Sequence, residues 1–188
     1  MARTARASAA LLALMIGVAA CSSDGDDSST STPDSSVGGD VSVPDVADDA
    51  LPIIDQIPVA IAALEAETGG PAEFFEVNAT AQLVNLFVAL NDGAVAQPWL
   101  YVGGTLTASE GQAANGGTFA GADVEFDPEV VLSQVLTEVP GIRIESFYIH
   151  GDGEGNVLYG VLATSERGGG LDIVLGADGT VKSVDPVG

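Results

Sequence analysis

The stretch DPEVVLSQVLTEVPGIRIESFYIH, residues 127–150, decides the fold class. Its first half places Val131, Leu132, Val135, Leu136 and Val139 at i, i+1, i+4, i+5 and i+8, one apolar stripe of a helix. Asp127 suits the N-cap, and Pro128 suits the first helical position, where no amide donor is required. Glu129 lies at the positive end of the helix dipole. Pro140-Gly141 stops the helix. The pattern then changes, because residues 142–150 are rich in β-branched and aromatic side chains that fit a pleated, half-buried surface.

Toward the C-terminus the strand signals repeat. The cluster Gly151-Asp152-Gly153-Glu154-Gly155-Asn156 is a turn. Residues 157–164 form a second strand, with Val157, Tyr159 and Val161 on one face and Leu158 and Leu162 on the other. Residues 171–175 form a third, and Ala177-Asp178-Gly179 turns the chain into a return strand over residues 180–184. Toward the N-terminus the same order occurs. Ile53, Ile54, Ile57, Ile61 and Leu64 give a helical stripe, expected to break or bend near Pro58 and to end at Thr68-Gly69-Gly70-Pro71. Strands follow over residues 74–80, 83–90 and 99–102, the last leading through Gly103-Gly104 into Thr105-Leu106-Thr107.

Set side by side, Phe74-Phe75-Glu76-Val77 matches Ser146-Phe147-Tyr148-Ile149. Residues 83–90 match 157–164, and Trp99-Leu100-Tyr101-Val102 matches Leu171-Asp172-Ile173-Val174. The fold class expected is α+β: two helix-plus-antiparallel-strand units, a tandem αβββ-like arrangement over about 50–108 and 123–188, with helices packed on antiparallel sheet. A Gly-, Ala- and Asn-rich stretch, residues 109–122, joins the units as a loose loop or irregular strand pair.

These features carry a resemblance. The run from Leu132 to Val184, with its helix ending at Val139-Pro140-Gly141 and its final hairpin with an Asp-Gly turn, resembles a PepSY-type domain. The similarity covers about 55 residues and, more faintly, the first half. It implies a small non-catalytic binding or inhibitory module of the cell envelope. A tandem of such units is also similar to β-lactamase-inhibitor-like proteins, from which the long Gly-rich join departs.

The N-terminus sets the address. Arg3 and Arg6 precede an apolar run over residues 7–20, the layout of a secretory signal peptide and too short to span a bilayer. Val18-Ala19-Ala20-Cys21 resembles a bacterial lipobox, in which the Cys is lipidated (a palmitate-bearing diacylglyceryl anchor) and becomes the new N-terminus. Cys21 is the single cysteine, so no intramolecular disulfide is available, and two acyl chains suffice for stable anchoring. Residues 1–20 are therefore read as the signal peptide, residues 21–49 as the lipidated Cys and a disordered acidic Ser/Asp/Gly tether, and residues 50–188 as one globular domain. The expected location is the extracytoplasmic face of a membrane.

After residue 20 the chain holds 27 acids against Arg143, Arg167 and Lys182, a net charge of −24. Such a surface excludes nucleic acid as a partner. The chemistry-bearing motifs are few. His150 is the only histidine. Asp152, Glu154 and Asn156 alternate in a Gly-rich loop, the residue types that surround calcium, but the twelfth position counted from Asp152 is Ala163 rather than a bidentate acid, so an exposed hairpin turn is the preferred reading. No Gly-x-Ser-x-Gly, P-loop or dinucleotide motif is present, so neither an enzyme nor a cofactor is expected. Trp99, Tyr101 and Phe87 are candidates for a ligand groove, although aromatics at strand spacing more often build core. The function expected is a membrane-anchored, non-catalytic binding or inhibitory module for another envelope protein. The alternative is a carrier of lipid or another small hydrophobic ligand, which requires a cavity between sheet and helices.

Overall fold

The computed structural model describes Ala47 and residues 49–187; the leader, Cys21 and nearly all of the tether lie outside the described residues. The chain enters through a 3-10 turn, Ile54–Gln56, and continues as α1, Ile57–Thr68. Pro58 stands in the first turn of α1. Its missing N–H costs nothing there, so it starts the helix instead of breaking it. Gly69, at φ 83°, closes α1, and the N–H groups of Gly69 and Gly70 both donate to the carbonyl of Glu65.

Four antiparallel strands follow: β1 (Glu73–Ala79), β2 (Val84–Leu90), β3 (Val95–Val102) and β4 (Thr105–Ala108). β3 begins at Val95, not at Trp99, so Pro98 lies inside a strand. It is tolerated because β4 pairs Trp99 and beyond, whereas β5 (Gln112–Ala113) pairs only Val95 and Ala96. Pro98 thus sits in the gap on that side of the ladder, where no N–H is needed. The Gly-rich join is a path of short elements: β5, then β6 (Phe119–Ala120) paired to β1, then a 3-10 turn, Gly121–Asp123.

A second helix and a second run of strands follow. α2 (Pro128–Glu138) is capped by Asp127, whose Oδ1 accepts from the Glu129 N–H at 3.0 Å. β7 (Ile142–Gly151), β8 (Val157–Ser165), β9 (Gly170–Leu175) and β10 (Val181–Val187) then form an antiparallel meander. α2 is therefore followed by four strands rather than the three expected, and α1 by four in the main sheet order plus the short β5 and β6. The main sheet runs β10-β9-β8-β7-β1-β2-β3-β4, so the two halves meet where β1 pairs antiparallel with β7.

Both helices cover the same face of this sheet. The core includes Ile57, Ile61 and Leu64 of α1 and Val131, Leu132 and Val135 of α2. It also holds the inward residues of both half-sheets: Phe74, Val77, Val84 and Leu86, and Ile144, Phe147, Val161 and Ile173. Phe126, Phe147 and Tyr159 cluster with ring centroids 5.1 to 6.3 Å apart, and the Tyr159 hydroxyl accepts from the Glu125 N–H. Each fully buried Phe stabilises the fold by about 1.5–3 kcal/mol. The β9–β10 hairpin docks tightly on α2. A Cβ added at Gly179, at φ 83°, would lie 2.9 Å from the Cα of Val131, so only glycine fits both the turn and the contact. Of the stripe expected for α2, Leu136 remains 36% exposed, because it faces away from this packing.

Candidate functional site

Among the described residues the opposite face of the sheet carries no helix. Side chains alternate along a strand, so burial of Val77 and Ala79 turns Glu76 and Asn78 outward. By the same rule Asn85 and Phe87 face outward from β2, Tyr148 and His150 from β7, Leu158, Gly160 and Leu162 from β8, and Asp172 from β9. Most are half-buried by their neighbours, and Leu162 is 41% exposed. The face is thus a mixed aromatic, amide and carboxylate surface.

Its centre is the junction of the halves, where Asn78 pairs with Tyr148 and Glu76 with His150. On one side the amides form a chain: Asn85 Nδ2 donates to Asn78 Oδ1 at 2.8 Å, and Asn78 Nδ2 donates to Glu76 Oε1 at 2.7 Å. On the other side Tyr148 crosses β8 and its hydroxyl donates to Asp172 Oδ1 at 2.6 Å. This reach requires Gly160. A Cβ there would lie 2.2 Å from the Cζ and hydroxyl oxygen of Tyr148, so the ring tip rests directly on the glycine backbone. The His150 ring lies 5.4 Å from the Tyr148 ring, with the planes 7° apart. Burial pushes the Tyr148 phenol well above its ordinary range, followed by the hydrogen bond and charge of Asp172 and the charges of Glu76 and Asp185. The phenol therefore stays protonated and keeps donating to Asp172.

The residues expected from sequence do not gather at one place. Trp99 and Tyr101 point to the helix side, with Tyr101 buried and Trp99 packed against the core, whereas Phe87 is on the open face. The three therefore line no common groove, because Phe87 alternates to the face opposite Trp99 and Tyr101. Asp152 accepts from the N–H groups of Glu154 and Asn156 and from Asn156 Nδ2 at 2.7 Å, capping its own hairpin loop. Those bonds, led by the side chain of Asn156, hold its carboxyl below the usual range. Among the described residues no group of three or more His, Cys, Asp or Glu side chains is placed to hold a metal ion. Cys21 lies outside the described residues.

Sequence reading did not single out Tyr148, Gly160, Glu76 and Asp172. The available signal was a glycine inside β8, opposite an aromatic on β7, since strand glycine marks close approach.

Among the described residues no helix is long and apolar enough to cross a membrane. No family model matches the sequence, and no curated protein matches it. The fold is similar to a solved crystal structure, that of a putative lipoprotein from Clostridium difficile 630, with a TM-score of 0.50. The two are 14% identical, and the match covers 75% of this chain and 96% of the other. That similarity is one of fold.

Proposed function

We propose that this chain is a lipid-anchored, extracytoplasmic binding or inhibitory module that docks another envelope protein on its open sheet face. The carrying observation is the asymmetry of the sheet: one face is filled by two helices and a packed core, and the other presents half-buried aromatic, amide and carboxylate groups to solvent. The lipobox-like Cys21 supplies the anchor and the acidic tether the reach. The fold shared with a protein described as a putative lipoprotein supports the same address.

The PepSY-like tandem is part of this reading. The first strand of each half carries a register shift, between Phe74 and Glu76 in β1 and between Ile144 and Ser146 in β7. Matching these bulges sets Phe74 with Ile144, Val77 with Phe147 and Ala79 with Ile149. Pairing to the next strands then sets Leu86 with Val161 and Trp99 with Ile173. The matched residues all face the helices. The match read from sequence is displaced by two residues in the first and third strands, which a period of two tolerates, and by one in the second, where it sets inward Leu86 against outward Gly160.

The carrier alternative needs space between sheet and helices. Phe74, Phe147, Ile57, Leu64 and Leu86 are fully buried there, which counts against it.

The test is photo-crosslinking of the full chain in its native envelope. A photoreactive residue replaces either Leu162, on the open face, or Val59, 48% exposed on α1. A discrete adduct from position 162 and none from position 59 is expected. Equal labelling from both positions, or none from 162, contradicts the reading.

A further inference from the structure

We propose that Tyr148 and His150 form an aromatic platform that receives an arginine or lysine side chain from a basic segment of the partner protein. The proposal rests on the binding-module reading above and names the chemistry of its partner.

Three observations carry it. First, Tyr148 lies down on β8 because Gly160 has no Cβ, and His150 lies parallel to it within 7°. Two parallel rings on a sheet surface offer π faces, whose negative quadrupole attracts cations and on which a guanidinium stacks. Second, carboxylates flank the platform. Glu76 is paired with His150 across β1–β7, Asp172 holds the Tyr148 hydroxyl, and Asp185 pairs with Asp172 across β9–β10. Glu76 accepts from the amide of Asn78 and Asp172 from the phenol of Tyr148, both neutral donors. Third, residues 49–187 hold 20 acids against Arg143, Arg167 and Lys182, a field that draws basic chains and repels acidic ones.

His150 is the only histidine in the chain, so its ring resonances report on this site alone. The experiment titrates a hexa-arginine peptide into the full-length protein, histidine-labelled and held in neutral detergent micelles at fixed salt. The His150 signals are expected to shift saturably. Tyr148→Ala, and separately the isosteric pair Glu76→Gln with Asp172→Asn, should each weaken binding by about tenfold. The pair Asp92→Asn with Glu110→Gln removes the same charge elsewhere and should change binding by less than about twofold. If Tyr148→Ala does not fold, the isosteric pair decides alone. Equal weakening by both neutral pairs, or peptide binding without a His150 response, overturns the platform. In that case a discrete crosslink from position 162 would leave the binding-module reading standing. Loss of that crosslink with intact peptide binding fails the module reading alone.

Discussion

Under the proposed match of their bulges, the two half-sheets differ chiefly on one side. Inward, Val77 corresponds to Phe147 and Leu86 to Val161, apolar for apolar, because each must pack against a helix. Outward, Asn78 corresponds to Tyr148 and Asn85 to Gly160. In the first half an amide bonds an amide; in the second an aromatic ring lies on a bare backbone to reach a carboxylate. Since Asn78 and Tyr148 are also paired across the junction, the asymmetry sits at the middle of the sheet. The inner face is dictated by packing, and the outer face is where the halves are free to differ. That is the face to search for a partner.

The sharpest way to break this comparison is to substitute neighbours that point to opposite faces. Phe147→Ala, on the helix side, should lose about 3–5 kcal/mol in urea unfolding. Tyr148→Ala, one residue on, should lose distinctly less, because its ring is only half covered; a similar loss would deny that the faces have different roles. Gly160→Ala should lose about 1–3 kcal/mol, because the ring must move. The same change made in Tyr148→Ala should be close to neutral, so a double-mutant cycle must show coupling; additivity would disprove the contact. Asp127→Ala should cost about 1 kcal/mol through loss of the α2 cap, measured by the same unfolding.

The smallest effect concerns pH. The Tyr148 pKa is raised in the fold from the ordinary 10.0. Above that value the unfolded chain releases a proton that the folded chain keeps, so stability falls as pH rises past 10. Tyr148→Phe should flatten that alkaline loss. Part should remain from Tyr159, whose pKa burial also raises. An unchanged alkaline slope would place Tyr148 in an ordinary aqueous setting.

Much of the frame was legible in residues 127–184. The Asp127 cap, the Val131-Leu132-Val135 stripe and the turn at Asp178-Gly179 are local signals, and the chain uses them as local physics requires. Pro98 hid the start of β3, because its tolerance depends on a gap left by two other strands. The site was less legible. Aromatic content pointed to Trp99, Tyr101 and Phe87, yet Trp99 and Tyr101 serve the core. The pairing of Tyr148 with Gly160 and its reach to Asp172 depend on register across three strands, which one strand's sequence does not carry.

The most direct measurement is hydroxyl-radical footprinting of the full chain, first in the intact envelope and then after extraction into detergent. If a partner covers the open face, Tyr148 and Leu162 should gain reactivity on extraction while Val59 on α1 stays constant. Reactivity at Tyr148 and Leu162 that is the same in both states, with any protection confined to the helix side, would contradict the open sheet face as the docking surface.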